Sequence, residues 1–255
     1  QRKGRAGRTK PGVYIDHCGA TDRLDFPKAE ILRVRLDQTV LRLAEAGFDA
    51  EVLEFFHQPD KTEIHEAKRA LKALGCMDEV GKVTAIGRRV AKMPISVKFA
   101  RMVVEAERLG VVDDVIDVAA ILEQGEITAR KIRVGDGPNA REIDASSIWR
   151  QKFCPNEESS DIMAQLAVFS QAADMTNEAR RASGVFVKAY HQAREKRRHL
   201  ADSLKGKVRE FQSSGNRENI LKALCAGMVD HLYRNEYGTY RNGDDVQREL
   251  NRDSV

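Results

Sequence analysis

The stretch TEIHEAKRALKALGCMDEVGKVTAIGRRVAKMP, Thr62–Pro94, decides the fold of this chain. Apolar residues recur every three or four positions in its first half, at Ile64, Ala67, Leu71 and Leu74. That spacing predicts an amphipathic helix, which Gly75 ends. A turn at Gly81 and a short extended piece follow, and Thr84 is placed to cap another helix before Pro94. Helices around a small β-element predict a winged helix.

The residues before this stretch predict a further helix and a strand. Between Pro27 and Phe48 the apolar residues again have helical spacing, at Leu32, Leu36, Val40 and Leu43. Gly47 closes this predicted helix. Val13–His17 is rich in residues that favour β-structure, and we expect one strand there.

The residues after the stretch predict a helical bundle that ends in β-structure. Helical spacing covers 95–125, begins again at Asp161, bends near Gly184, and returns from Asn216 to Leu232. Between 125 and 160 the pattern lapses, and we expect loops with one short helix near the single tryptophan. Asn242-Gly243 predicts a hairpin. The fold class is therefore mainly α, with a short β-segment at each end.

The bulk composition excludes several classes of protein. The 255 residues include 43 basic and 39 acidic side chains, and the first ten residues carry five of the basic ones, so the rest is close to neutral. The four cysteines lie far apart, without the spacing of a metal site or a C-x-x-C pair. No apolar run has the length of a membrane span. We expect a cytoplasmic protein, or a nuclear one in a eukaryote, without a metal site.

The opening QRKGRAGRT, 1–9, has two interpretations. Glycines let the backbone pass close to a polyphosphate, and arginine forks bind its oxygens. A glutamine nearby orients a water for in-line attack. Arginine-glycine tails also bind RNA without catalysis, so the composition alone leaves both open.

The order of these residues resembles the sixth conserved motif of superfamily 2 helicases, and its Gln-Arg start resembles the DEAH-box branch. Ski2-like helicases usually have methionine where Arg2 stands. The resemblance implies that Arg5 and Arg8 are catalytic arginine fingers, which contact the γ-phosphate of ATP between two RecA-like domains. It also implies that Gln1 contacts that phosphate or the attacking water.

The rest of the chain resembles the region that follows this motif in DEAH-box helicases. The phrases are L-x-x-L-G-x-x-D at Leu71–Asp78 and T-x-x-G-R at Thr84–Arg88, and GTYRNG near the end resembles the start of the family's OB-fold. The implied domains are a RecA-like remnant at 1–25, a winged helix at 26–93, a ratchet-like bundle at 94–234 and the first OB-fold strands at 235–255. FFHQPD, 55–60, is less proline-rich than usual in the family.

Two motifs needed for ATP hydrolysis are absent from the sequence. It contains no G-x-x-x-x-G-K-[ST] and no D-E-x-H box. Because these elements hold the phosphates and Mg²⁺, we expect ATP and Mg²⁺ to bind in an intact enzyme and not in this chain alone.

A basic run in the later helices is the candidate RNA contact. The residues chosen from this run are Lys188, Arg194, Arg197 and Arg198. One interpretation is a solvated face, because acidic residues alternate with the basic ones. The other is that part of the face follows an RNA backbone. The cations of the helix over 63–74 have two interpretations as well, reading of base edges and packing.

The expected function is that of a C-terminal accessory region of an ATP-dependent RNA helicase. Its expected partners are single-stranded RNA or DNA, N-terminal RecA-like domains and an activating protein, and no membrane. The alternatives are a non-enzymatic winged-helix module, which binds nucleic acid or docks a partner, and a fragment of a Ski2-like helicase.

Overall fold

The computed structural model describes residues 6–7, 9–15, 29–33, 35–134, 141–155, 159–243, 245–250 and 254. The helices in these residues are α1 Asp37–Glu45, α2 Lys61–Ala73, α3 Ala85–Ala91, α4 Val97–Leu109, α5 Val112–Gln124, α6 Ser146–Phe153, α7 Asp161–Gln171, α8 Asn177–Ala182, α9 Val187–Leu204 and α10 Arg217–Gly227. The strands are β1 Lys131–Val134, β2 Arg141–Asp144, β3 Arg234–Glu236, β4 Thr239–Arg241 and β5 Gln247–Arg248. The prediction of a mainly α fold is confirmed.

Helices α1–α3 form the predicted winged helix around a small β-element. Thr84 caps α3, since its hydroxyl accepts a hydrogen bond from the Gly87 amide at 3.0 Å. Met77 and Val83 form an antiparallel bridge between α2 and α3. A Cβ at Gly87 would lie 2.1 Å from the Cys76 carbonyl oxygen. The close approach of α3 to this bridge therefore requires glycine.

The prediction of one continuous helix from Pro27 to Gly47 is wrong. A separate 3-10 turn covers Glu30–Leu32, and α1 begins only at Asp37. Leu36, just before α1, is buried, and Arg35 pairs with the largely buried Asp37. An acidic residue in the first turn of a helix is favourable because the amide groups there carry partial positive charge. The helix therefore starts at the acid.

A continuous apolar core joins the winged helix to the bundle. It runs from the buried faces of α1 and α2 through α4 and α5 to α10 and the end of α9. Helix α10 packs along α4, and α9 packs along α5. A second core lies between α6, α7 and α9, around Trp149, Phe169 and Tyr190. This continuity holds the winged helix and the bundle in one packed unit.

The segment 125–160 contains more regular structure than we predicted. The short helix near Trp149 is confirmed as α6, but β1 and β2 pair as an antiparallel hairpin before it. The strands read KIRV and REID, and β2 is exposed along its whole length. Polar and apolar residues alternate over the four positions of β1, but this alternation does not continue in β2, so the two-residue periodicity in the sequence is short.

The C-terminal part of the chain confirms the hairpin and corrects the last helix. Helix α10 ends at Gly227, where a Cβ would lie 2.4 Å from the Lys98 carbonyl oxygen of α4, and a 3-10 turn replaces the predicted continuation to Leu232. The chain turns away here because α10 crosses α4 at this glycine. Asn242-Gly243 lies between the antiparallel strands β4 and β5, and β3 extends the sheet.

The predicted N-terminal strand is not formed in the described part of the chain. Residues 13–15 have no strand pairing, and residues 16 and 17 lie outside the described residues. The β-formers of this segment have no neighbouring strand among the described residues with which to pair.

Candidate nucleic-acid interface

Helix α9 carries all four basic residues predicted to contact RNA, and they lie on different sides of it. Its buried residues Ala189, Tyr190 and Ala193 pack into the second core. Arg194 lies over the ring of Phe169, with its guanidinium carbon 5.4 Å from the ring centroid. This contact is a cation–π interaction and holds Arg194 against α7.

Arg197 is engaged by carboxylates of α5. Its Nε donates to Oδ1 of Asp117 at 2.9 Å, and its Nη2 donates to Oδ1 of Asp113 at 2.9 Å. We call these three residues the α5–α9 tether. The side chain of Arg197 is 32 % exposed. Two of its donors therefore face the protein, which supports a role in helix packing, and its contact with RNA stays a prediction.

The tether is partly desolvated. Burial raises the pKa of Asp117 above its ordinary value of 3.8, and the hydrogen bond from Arg197 opposes that change. A neighbouring lysine, Lys196, donates to the Glu123 carbonyl at the end of α5 at 2.9 Å. Cations at the carboxyl end of a helix satisfy its last carbonyls. These contacts fasten α9 to α5.

The other predicted residues, Lys188 and Arg198, have exposed charged ends. Arg198 is 69 % exposed, and its nearest carboxylate oxygen belongs to Glu195 at 4.0 Å. Lys205 further along pairs with Asp202 at 2.7 Å. Lys188 has no ionic partner among the residues that the structure describes. The outer face of α9 thus alternates in charge, which favours the solvated interpretation and leaves Lys188 and Arg198 as its available cations.

The predicted catalytic residues Gln1, Arg5 and Arg8 lie outside the described residues.

The described residues hold no group of three or more His, Cys, Asp or Glu side chains that is suited to a metal ion. None of the helices that the structure describes has the length and apolar character of a membrane span. Cys76 is buried, and burial raises the pKa of its thiol to about 11.

Two of the cations of α2, Lys68 and Lys72, contact the winged helix itself. Lys68 donates to the carboxylates of Asp49 and Glu51, and Lys72 donates to the Glu79 carbonyl at 2.7 Å. Their charged ends are therefore used to fix the loops on either side of α2. This geometry supports packing over reading of base edges.

The loop between α1 and α2 exposes large apolar side chains from a fixed backbone. The exposed residues are Phe48, Val52 and Phe56, and Phe56 is 97 % exposed. Ala50 and Pro59 of the same loop are buried, and the loop carries the two carboxylates bound by Lys68. We call Phe48, Val52 and Phe56 the apolar loop surface. Sequence analysis did not identify it, and a cluster of exposed apolar side chains is typical of a docking surface.

A second group of arginines also escaped sequence analysis. Arg89, Arg108 and Arg209 line a cavity of about 290 Å³ where α3, the end of α4 and the connector between α9 and α10 meet. They are far apart in sequence, and no run of basic residues marks the site. Only the packing of three segments brings them together.

Comparison with known families agrees with this architecture. The winged-helix part of the helicase-associated domain HA2 matches residues 69–95, and its ratchet-like part matches residues 96–215. The chain belongs to the helicase-associated region of DEAH-box helicases. The resemblance found in the sequence is thereby confirmed, and helices α4–α9 form the ratchet-like part.

The curated relatives of this HA2 region are much longer proteins. It is 34 % identical over 131 residues to "ATP-dependent RNA helicase HrpA" of Escherichia coli, a match to 48 % of this chain and 10 % of the relative. The chain is 28 % identical over 251 residues to "Pre-mRNA-splicing factor ATP-dependent RNA helicase prp22" of Schizosaccharomyces pombe. This match covers 92 % of this chain and 20 % of the relative. The HrpA homolog of Haemophilus influenzae is 26 % identical over 253 residues. This match covers 91 % of this chain and 19 % of the relative. The chain spans a fifth or less of each relative.

Proposed function

We propose that this chain is the part of an ATP-dependent RNA helicase that supports the motor domains and holds RNA while they step. The observation that carries the proposal is the winged helix followed by the ratchet-like bundle, matched over 69–215. We assign 1–25 to a RecA-like domain, 26–93 to the winged helix, 94–234 to the bundle and 235–255 to an OB-fold. We place the protein in the cytoplasm, or in the nucleus of a eukaryote.

In this proposal Gln1, Arg5 and Arg8 act on ATP. The two arginines contribute guanidinium forks to the γ-phosphate, and Gln1 contacts the phosphate or the attacking water. Mg²⁺ neutralises phosphate charge in such sites and is held by motifs that this sequence lacks. The support comes from the spelling of residues 1–9 and from relatives named as ATP-dependent helicases.

The apolar loop surface is the proposed contact with the RecA-like domains. Three large apolar side chains in nine residues are exposed, while Ala50 and Pro59 of the same loop are buried. A fixed backbone loses little conformational entropy on docking, so such a surface suits a permanent contact between domains. Lys68 and Lys72 of α2 are already bound within the winged helix, which supports docking over reading of bases.

RNA is the proposed ligand of the exposed cations. Among the residues that the structure describes, no buried carboxylate binds the charges of Lys188 and Arg198. Phosphate contacts of this kind give an affinity that falls with salt, whatever the base sequence. The alternative, a winged-helix module without catalysis, shares this RNA affinity but needs no motor domains.

Two experiments test the proposal. The coding sequence upstream of Gln1 is expected to contain a P-loop and a D-E-x-H box, and a start codon immediately before Gln1 would favour the non-enzymatic module. In the second experiment, the chain is assayed alone with ATP and RNA. We expect no ATP turnover, because the sequence lacks both motifs that hold the phosphates and Mg²⁺. ATP turnover that Arg5→Ala abolishes would contradict this expectation.

A further inference from the structure

Three arginines from three separate segments meet at one cleft. Arg89 lies on α3, Arg108 lies near the end of α4, and Arg209 lies in the connector between α9 and α10. The cavity between them has a volume of about 290 Å³. The other lining residues are Glu107, Glu210 and Gln212. We call this site the arginine cleft.

Two carboxylates of α4 hold the arginines of the cleft in place. Glu107, whose side chain is 10 % exposed, accepts hydrogen bonds from the Arg89 guanidinium and, at 2.9 Å, from the Arg209 amide. Glu105 accepts from Nη2 of Arg108 at 2.6 Å and from Arg101 at 3.0 Å. Burial raises the pKa of Glu105, but the hydrogen bonds from Arg108 and Arg101 outweigh it and hold the pKa below 4.5. Glu105 is therefore ionised at neutral pH, and the two carboxylates hold Arg89 and Arg108 in place.

The connector that carries Arg209 has no regular structure, yet its backbone is fixed. Asp114, which is buried, accepts from the Ser213 hydroxyl at 2.8 Å and from the Ser214 amide at 3.1 Å. The Gln212 carbonyl accepts from the Asp113 amide at 2.9 Å. These bonds tie the connector to the start of α5. Arg209 is thus held in place by its backbone before any ligand binds.

The side chain of Arg209 itself is exposed. Its guanidinium has no acceptor among the residues that the structure describes. Each of the other two arginines uses part of its guanidinium on α4 and keeps further N–H groups for a ligand. The lining carries three arginines against two glutamates, Glu107 and Glu210, so a bound anion would offset the remaining positive charge.

We propose that the arginine cleft binds a phosphate group of a single-stranded RNA backbone. This inference rests on the proposed function, because it assigns RNA a contact away from the face of α9. Planar guanidinium forks match the oxygens of a phosphodiester, which is why arginine is the residue of choice for phosphate recognition. The cavity is large enough for one phosphodiester with part of a sugar. Its lining residues come from both the winged helix and the bundle, so RNA bound there contacts both.

Arg209→Glu tests the inference. The chain is titrated with a fluorescent oligouridylate between about 50 and 200 mM salt. The variant is expected to lower RNA affinity about tenfold at low salt and to reduce the slope of log K against log salt by about 1. The control is Lys222→Glu, which reverses the same charge on α10, where Lys222 pairs with Glu218 at 2.6 Å outside the cleft. Circular dichroism checks that both variants fold.

A second variant and a second probe make every outcome decisive. Arg108→Gln, which removes the charge and keeps a polar side chain, is expected to weaken RNA binding in the same direction as Arg209→Glu. Equal affinities for Arg209→Glu and Lys222→Glu, with RNA bound by the wild type, overturn the cleft and leave the proposed function intact. No RNA binding by the wild type overturns the RNA part of the proposed function. A polyglutamate peptide that binds through Arg209 in place of RNA assigns the cleft to an acidic protein segment instead.

Discussion

The α5–α9 tether and the arginine cleft both gather arginines near carboxylates, and they use the charge in opposite ways. In the tether, Nε and Nη2 of Arg197 donate hydrogen bonds to two carboxylates of a neighbouring helix. In the cleft, the carboxylates bind the Arg209 amide and parts of two guanidinium groups, and the Arg209 side chain extends into solvent. A basic residue is therefore available to RNA only where the fold leaves its donors unused.

The difference follows from where the carboxylates lie. In the tether, burial raises the pKa of Asp117, whereas in the cleft the arginine contacts lower that of Glu105 despite partial burial. Breaking a partly buried ion pair leaves a charge without compensation, and this costs more than losing an exposed pair. The loss in the free energy of unfolding on substitution of an arginine should therefore increase with the burial of that arginine.

Arg180 is the most buried of the arginines compared, and its substitution has the largest expected effect on stability. It is 8 % exposed, donates to the carbonyls of Ala172 and Ala173 at 3.0 and 2.8 Å, and lies over Tyr190. Arg180→Ala should lower the free energy of unfolding by about 3 kcal/mol, because it leaves buried carbonyls and a cavity. Urea denaturation measures this. A change as small as that of an exposed arginine would contradict the ranking.

Arg197→Ala should have the next largest effect. It leaves Asp113 and Asp117 without their shared cation, so we expect a loss of about 2 kcal/mol in the free energy of unfolding. The matched control is Arg198→Ala on the same helix, which is expected to change it by less than about 0.5 kcal/mol. Equal losses in the two variants, measured by urea denaturation, would show that the tether is no more than a surface pair.

The pH dependence of stability separates the two sites further. Asp117 has a raised pKa in the folded chain, so its contribution to stability falls as pH rises above 3.8. Glu105 has a lowered pKa, so its contribution is present above 4.5 and is lost on acidification. Asp117→Asn should therefore steepen the rise of stability with pH just above 3.8. An unchanged slope in urea denaturation at several pH values would contradict the assignment.

Lys188→Glu combined with Arg198→Glu gives the smallest expected effect on stability. Both side chains are exposed, so the free energy of unfolding should change by less than about 0.5 kcal/mol. RNA affinity should fall if the outer face of α9 contributes phosphate contacts. Anisotropy titration measures this, and an unchanged affinity and salt slope would confine RNA to the arginine cleft.

The fold could largely be predicted from local signals in the sequence. The apolar spacing in α2, the Thr84 cap and the Asn242-Gly243 turn each act within a few residues, and each is present in the structure. The end of α10 could not be predicted in this way. It depends on the contact of Gly227 with Lys98 of α4, which is distant in sequence.

The candidate site was less predictable for the same physical reason. The basic run of α9 showed where cations lie in sequence, but the partners of Arg197 lie 80 and 84 residues away on α5. The arginine cleft draws one residue from each of three segments, so no run of charge announces it. Whether an arginine is engaged or available is a property of tertiary packing. The sequence motif at Gln1, Arg5 and Arg8 identified the family independently of that packing.

The salt dependence of RNA affinity, compared between Arg197→Gln and Arg209→Gln at a temperature where both are folded, tests most directly whether packing decides which arginine binds RNA. Both substitutions remove one positive charge and keep a polar side chain. We expect Arg209→Gln to reduce the slope of log K against log salt by about 1 and Arg197→Gln to leave it unchanged. Equal slopes in the two variants, or a loss only in Arg197→Gln, would contradict this expectation.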